Sequence, residues 1–128
     1  MYSPQVLDHF EQPRNAGVLD SPDATVTVEN PACGDVLKLY ARVSGERIRE
    51  ATFQAKGCVP SIACGSVLTE LISGKTFREA AKVRREDLLR TIGDLPAASQ
   101  HASHLAIDAL SALLKLLSAQ SGRVRSGQ

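Results

Sequence analysis

Residues 36–55 read VLKLYARVSGERIREATFQA, with two runs of alternating apolar and polar side chains on either side of a short polar segment. Alternation with a period of two is typical of a β-strand that has one buried face. The segment between the runs, Ser44-Gly45-Glu46-Arg47, contains a glycine and is typical of a hairpin turn. We therefore predict two antiparallel strands, at 36–43 and 48–55, joined by a hairpin.

The N-terminal part of the chain adds one strand and one helix to this hairpin. A third alternating run lies at 25–28. Residues 3–11 have helical spacing of their apolar side chains, with Ser3 as a suitable N-cap and Pro4 at the first helical position. Residues 12–23 are dense in turn formers, which predicts a loop between the helix and the strand.

The C-terminal half has helical spacing throughout. A helix is predicted between Pro60 and Gly74, and two shorter helices at 76–83 and 85–92. Gly93-Asp94-Leu95-Pro96 then interrupts the chain. The last and longest predicted helix carries an apolar stripe that would pack on the sheet, formed by Leu105, Ala109, Leu113, Leu116 and Leu117.

This order of elements, a helix, three strands and then helices, favours an α+β fold in which helices cover a three-stranded antiparallel sheet. A chain of 128 residues has room for one core. We assign a single domain to residues 1–120. Residues 121–128 are polar and glycine-containing and lack an apolar stripe, so we predict a disordered tail there.

The overall composition excludes several classes of function. Hydrophobic residues make up 43% of the chain and the formal net charge is +1, so no global field favours nucleic acid or an anionic membrane. We find neither a secretion signal nor a stretch with the length of a membrane span, and we expect a cytoplasmic protein. Three cysteines form an odd set. That count favours free thiols or metal ligands over a disulfide framework.

Two of the cysteines lie at junctions between predicted elements. Cys33 and Asp35 flank Gly34 in the loop that precedes the hairpin, and glycine permits a backbone path that points both side chains the same way. Cys58 lies between the last strand and a helix, where the positive end of the helix dipole would favour a thiolate. These cysteines may alternatively be read as structural thiols, which are common in protein interiors.

His101 lies at the start of the last predicted helix. If the strand ends and this helix start meet at one edge of the sheet, Cys33, Asp35, Cys58 and His101 converge. Two sulfurs, one nitrogen and one oxygen suit a tetrahedral zinc ion, and they also suit a small iron–sulfur cluster. The alternative is that His101 is a polar residue of the helix start without a ligand role.

Several motifs, in order, resemble the U-type iron–sulfur cluster scaffold family, which comprises IscU and the N-terminal domain of NifU. They are VLDHFEQPRNAG at 6–17, PACGD at 31–35, Gly57-Cys58, and Leu95-Pro96 followed by His101. The resemblance runs from Tyr2 to about residue 119. Tyr2 falls at a family tyrosine associated with pairing of scaffold molecules, which implies a monomer or a weak homodimer.

The resemblance implies a function without substrate turnover. Members of the family receive sulfur from a cysteine desulfurase and iron from a donor, build a [2Fe–2S] cluster and pass it to apo-proteins. Cys33, Asp35, Cys58 and His101 fall at the family's positions for ligands of the cluster, or of zinc in a resting state. Asp35 falls at the position of an exchangeable ligand, which agrees with the poor match between a hard carboxylate and a sulfide-rich cluster.

The chain departs from the family pattern at two places. The family has a ligand cysteine directly after the histidine, and here that position is Ala102. Family members that serve a dedicated Hsp70-type chaperone carry Leu-Pro-Pro-Val-Lys, whereas Ala97-Ala98-Ser99 follows Leu95-Pro96 here, so we expect weakened recognition by that chaperone.

The departures leave alternatives to a scaffold open. One is a zinc-binding regulatory or structural module, and another is a sulfurtransfer partner in which Cys33, Cys58 or Cys64 accepts sulfur from a desulfurase. A Cys–His hydrolase ranks last, because nothing in the chain suggests an oxyanion hole. Cys64 itself shares helical spacing with Leu68 and Leu71, which favours a buried side chain over a ligand that replaces the missing thiol.

Polar residues outside the predicted site receive structural interpretations. We interpret His9 as structural, and His104 with Asp108 as a solvated helix pair. The basic run at 82–85 is interpreted as a solvated helix face.

Overall fold

A computed structural model describes residues 2–31 and 34–126, the last six of them without their side chains. The predicted order of elements is confirmed. In chain order the elements are α1 (Pro4–Glu11), β1 (Ala24–Glu29), β2 (Val36–Ser44), β3 (Arg47–Lys56), α2 (Val59–Ile72), α3 (Phe77–Ala80), α4 (Arg85–Ile92), a short 3₁₀ turn (Ala97–Ser99) and α5 (His101–Ser126).

The three strands form one antiparallel sheet in the order β1-β2-β3, as predicted. Ser44 pairs with Arg47, so Gly45 and Glu46 form the turn of the β2–β3 hairpin. Gly45 has φ +61°, a left-handed conformation that glycine adopts at little cost. The sheet therefore follows from the alternation of apolar and polar side chains along its strands.

The helix α2 packs closely against β3. Gly65 makes this approach possible, because a Cβ at that position would lie 2.6 Å from Cδ2 of Phe53. The ring of Phe53 is 2% exposed, and it is among the largest fully buried side chains. The sheet is thus covered by α2 and by α5, which contacts β1 and β2. This arrangement places the starts of α2 and α5 beside the start of β2.

The helix α1 is fastened to α2 by a buried network around His9. Nδ1 of His9 lies 2.7 Å from the hydroxyl of Ser66, and that hydroxyl accepts a hydrogen bond from the backbone N–H of Arg14 at 2.8 Å. The hydroxyl of Ser66 thus joins the imidazole of His9 to the backbone of Arg14. Nε2 of His9 lies 3.9 Å from Glu70. The structural interpretation of His9 is confirmed.

The network makes stability depend on pH. Burial, aided by the charge of Arg14, lowers the pKa of His9 from 6.5. Below that pH the unfolded chain binds a proton at His9 more readily than the folded protein, so the free energy of unfolding is expected to fall as the pH decreases through this range. His9→Gln should flatten this part of the profile, measured by urea unfolding between about pH 5 and 8.

The exposed His104 provides the control, because His104→Gln also removes a histidine but leaves the buried network around His9 intact. Equal slopes for the wild type and His9→Gln would contradict the prediction.

Two elements differ in length from their prediction. The helix predicted at 76–83 is only Phe77–Ala80, and Thr76 caps it in a capping box with Glu79. The last helix continues to Ser126 and includes part of the predicted tail. Gly122 costs a helix only about 1 kcal/mol, and no proline follows to end it. Residues 127 and 128 lie outside the described residues, and the domain limit at 120 stays a prediction.

The expectation that no stretch has the length of a membrane span was wrong. Residues 97–120 form a helical segment of 24 residues with mean hydropathy 1.3, which meets that criterion by length and composition. The stripe residues Leu105, Ala109, Leu113 and Leu117 all lie in the core. The apolar character of the α5 face that these residues form is therefore explained by its packing on the sheet, as in other long core helices.

Candidate metal centre

Three of the four predicted ligands come together at one edge of the sheet. Asp35 directly precedes β2, Cys58 is the N-cap residue of α2, and His101 is the first residue of α5. One possible ligand atom from each lies within 4.8 Å of the others. The convergence that the sequence predicted is confirmed for this group.

The three side chains meet around one carboxylate oxygen. Oδ2 of Asp35 lies 3.0 Å from Sγ of Cys58 and 3.4 Å from Nε2 of His101. Sγ and Nε2 lie 3.7 Å apart. Asp35 is buried, whereas Cys58 and His101 are half-buried, so the group opens towards solvent on the side of the sulfur and the imidazole.

The predicted fourth ligand, Cys33, lies outside the described residues, and its role stays a prediction. Two backbone hydrogen bonds join described residues near it in the chain, from Gly34 N–H to the carbonyl of Asn30 at 2.7 Å and from Asn30 N–H to the carbonyl of Asp35 at 2.8 Å. Gly34 has φ +76°, which agrees with its expected role as the flexible residue between the two predicted ligands.

Sequence reasoning missed one residue of the site, Ser61. Its hydroxyl donates to Oδ2 of Asp35 at 2.6 Å and lies 3.3 Å from Sγ of Cys58. The side chain is 1% exposed. A serine three residues after an N-cap residue faces the helix start, so the spacing from Cys58 was a signal that the sequence contained.

The two acidic groups of the site have opposite pKa shifts. Burial alone would raise the pKa of Asp35, but hydrogen bonds from Ser61, Cys58 and His101 outweigh it and hold the pKa below 3.8. Burial raises the pKa of Cys58, and the Asp35 charge adds to that effect. The expectation that the start of α2 favours a Cys58 thiolate was therefore wrong. A cation must displace the thiol proton when it binds.

Gly57 leaves room for the Asp35 carboxylate. A Cβ at this position would lie 2.3 Å from Oδ1 of Asp35, and Gly57 has φ +147°. Both facts require glycine here. The absence of a side chain at residue 57 thus leaves the space that the Asp35 carboxylate occupies.

Gly57→Ala is expected to displace Asp35 and weaken metal binding by about 10-fold or more. Gly45→Ala is the matched control, since Gly45 also has a positive φ, of +61°, but a Cβ there meets nothing within 4 Å. Zinc affinity measured by competition with a chelator should fall only in the first variant. Equal affinity in the two variants would show that Gly57 does not position the carboxylate.

Comparison with known proteins identifies the family to which the chain belongs. The family model described as "NifU-like N terminal domain" matches residues 1–122. The chain belongs to this family. It is 44% identical over 110 residues to iron-sulfur cluster assembly scaffold protein IscU 1 of Archaeoglobus fulgidus, with 86% of this chain and 72% of that protein covered.

Other relatives cover more of their own length. The chain is 42% identical over 117 residues to iron-sulfur cluster assembly scaffold protein IscU of Escherichia coli K12, with 88% of this chain and 91% of that protein covered. The crystal structure of the N-terminal part of a nitrogen-fixing NifU-like protein from Brucella abortus superposes with a TM-score of 0.72 at 20% identity, covering 91% and 93% of the two chains. It shows the fold, and the predicted IscU/NifU-like α+β class is confirmed.

Two positions of this NifU-like domain bear on the third thiol that the resemblance leads us to expect. Ala102 is 1% exposed and belongs to the core. Cys64 is fully buried among core residues, and burial raises its pKa to about 12. A thiol with that pKa is a poor metal ligand at neutral pH. The interpretation of Cys64 as a small buried side chain is confirmed.

The basic run at 82–85 contains both exposed and half-buried side chains in this NifU-like domain. Lys82 and Arg84 are exposed as predicted, but Arg85 is half-buried. The guanidinium of Arg85 donates to Ser103 Oγ at 2.9 Å and to Gln100 Oε1 at 2.8 Å. These bonds hold the first turn of α5, and with it the position of His101.

Proposed function

We propose that this chain is a scaffold or carrier for iron–sulfur clusters, which holds iron or a [2Fe–2S] cluster at Asp35, Cys58 and His101, with Cys33 as the further ligand. The single observation that supports this most strongly is the meeting of a sulfur, an oxygen and a nitrogen within 4.8 Å at three element ends. Relatives named as cluster assembly scaffolds share more than 40% of the aligned residues.

The mixed donor set favours release of the cargo as well as its binding. Thiolate and imidazole suit iron and zinc, whereas a carboxylate is the hardest ligand of the group. Asp35 already has hydrogen-bond partners within the protein, so it can leave a cluster without being stranded as an unpaired buried charge. We propose Asp35 as the exchangeable ligand.

The same geometry argues against the hydrolase alternative. A catalytic cysteine needs a lowered pKa or a base that accepts its proton. Here the pKa of Cys58 is raised, and the thiol donates to a carboxylate that is also bonded by Ser61. We therefore propose a role without substrate turnover.

The proposed partners follow from the proposed role. A scaffold needs a cysteine desulfurase as the source of sulfur, an iron donor, and apo iron–sulfur proteins as recipients. We propose that it acts in the cytoplasm, as a monomer or weak homodimer, with weakened recognition by the family's dedicated chaperone.

The proposal predicts cluster transfer. Protein loaded anaerobically with a desulfurase, cysteine and ferrous iron should convert an apo-ferredoxin to its holo form, followed by visible absorption and circular dichroism. Asp35→Ala should slow the transfer step, because the proposed exchangeable ligand is removed, whereas Asp108→Ala, which changes an exposed carboxylate near His104, should not.

Failure of the loaded wild-type protein to donate its cluster would overturn the scaffold proposal. A tight, colourless zinc form that resists exchange with iron would instead favour the zinc-binding alternative, since zinc suits the same ligands.

A further inference from the structure

Ser61 lies behind the candidate ligands, on the first turn of α2. We propose that Ser61 is a positioning residue, whose hydroxyl holds the Asp35 carboxylate in the orientation that binds metal. The inference rests on the proposed role of Asp35 as a ligand, and it concerns a residue that does not itself contact the metal.

The hydrogen bond has one direction. The hydroxyl of Ser61 donates to Oδ2 of Asp35 across 2.6 Å, and a carboxylate oxygen accepts such a bond. This distance is shorter than the usual separation of two neutral oxygens and is typical of a charge-assisted bond.

The bond survives the chemistry of metal binding. The hydroxyl of Ser61 lies 2.6 Å from Oδ2 of Asp35 and 3.3 Å from Sγ of Cys58, so the carboxylate is the nearer acceptor for its single proton. A carboxylate oxygen has lone pairs for both a hydroxyl and a cation, so Oδ2 can keep Ser61 while it binds metal.

Ser61 and Gly57 together confine the carboxylate. The terminal torsion of an aspartate is broad, and a free carboxylate samples many orientations. Here Ser61 holds Oδ2, and the backbone at Gly57 lies so close to Oδ1 that a Cβ would come within 2.3 Å of it. Ser61 thus holds one oxygen of the carboxylate, and the backbone of Gly57 lies beside the other. A fixed ligand loses less entropy when the metal binds.

Removal of the hydroxyl provides the test. Ser61→Ala keeps the Cβ and the packing of α2 but leaves Oδ2 without its hydroxyl donor. Zinc affinity, measured by chelator competition, is expected to fall by about 10–100-fold. With Co²⁺ as a spectroscopic probe, the d–d bands should change while the thiolate-to-cobalt charge-transfer band of Cys58 remains. Ser61→Thr, which restores a hydroxyl, should recover affinity.

Ser66→Ala is the matched control. Ser66 is also a buried serine of α2 with a hydrogen-bonded hydroxyl, but its partners are His9 and Arg14. A loss of metal affinity in Ser61→Ala with normal affinity in Ser66→Ala, at similar free energies of unfolding, establishes the positioning role.

The proposal is overturned if Ser61→Ala binds zinc and cobalt like the wild type, if Ser66→Ala weakens binding equally, or if the wild-type protein binds neither ion. Cluster transfer does not enter these measurements. A wild-type protein that binds zinc tightly but never donates a cluster would therefore remove the scaffold function and leave the role of Ser61 standing.

Discussion

Cys58→Ala is expected to weaken zinc binding strongly, because it removes the one sulfur ligand among the described residues of the site. The loss should exceed the ~10–100-fold that removal of a residue supporting a ligand usually costs. The sulfur of Cys58 lies within 3.7 Å of both Asp35 and His101, so no other described side chain takes its place in the group. Without it the described site retains one carboxylate and one imidazole, a set that resembles many surface pairs.

Cys64→Ala is the control for this prediction, since it removes a thiol six positions further along the chain. Cys64 is fully buried in the core, and its pKa of about 12 keeps the thiol protonated. Zinc affinity should therefore be close to that of the wild type, measured by chelator competition on both proteins. Loss of binding in Cys64→Ala and not in Cys58→Ala would show that the sulfur ligand has been assigned to the wrong cysteine.

Phe53→Ala is expected to cost about 3–5 kcal/mol of the free energy of unfolding, the range found when a buried aromatic side chain is truncated. The ring is 2% exposed and fills the space under Gly65, where α2 approaches the sheet. The backbone of Phe53 also binds the loop before β1, through bonds with Asn15 at 3.0 Å and Gly17 at 2.8 Å. The cavity that the substitution creates therefore lies where α2, β3 and the loop before β1 meet.

Such a loss is a large part of the total stability of about 5–15 kcal/mol that is usual for a domain of this size. Leu7→Ala provides the comparison, because Leu7 is 41% exposed and its truncation should cost far less. Urea unfolding of the two variants measures the difference. Similar costs for both would contradict the placement of Phe53 at the centre of the core.

The fold was predictable where a period was long enough to recognise. The β2–β3 hairpin has alternating residues on both strands, and α5 has a repeated apolar stripe, so each could be assigned from pattern alone. The end of α5 was not predicted, because no proline follows it and glycine at 122 only weakens a helix. The prediction for α3 was too long for a related reason, since helical spacing of the apolar residues continues past the last residue of the helix.

The candidate site was predictable from the types of its ligands and from their positions at the ends of elements. Its finer contacts were not predictable. Cys58, Asp35 and His101 are chemically conspicuous residues at junctions, and junctions at one sheet edge tend to meet. Ser61 and Arg85 are ordinary residue types whose roles depend on register, since a shift of one position on a helix turns a side chain by about 100°. The raised pKa of Cys58 likewise depends on burial and on the neighbouring carboxylate, which the helix-dipole argument did not include.

Cluster binding is tested most directly by iron and acid-labile sulfide analysis, with a visible spectrum, on protein purified and reconstituted anaerobically. We expect the wild-type protein to carry both iron and sulfide, because Asp35, Cys58 and His101 already form a ligand group. Ala102→Cys, which restores the thiol expected from the family pattern, is analysed in parallel together with its stability, since position 102 is buried. Iron and sulfide in the restored variant alone would contradict the account and assign the chain to a derivative that has left cluster assembly.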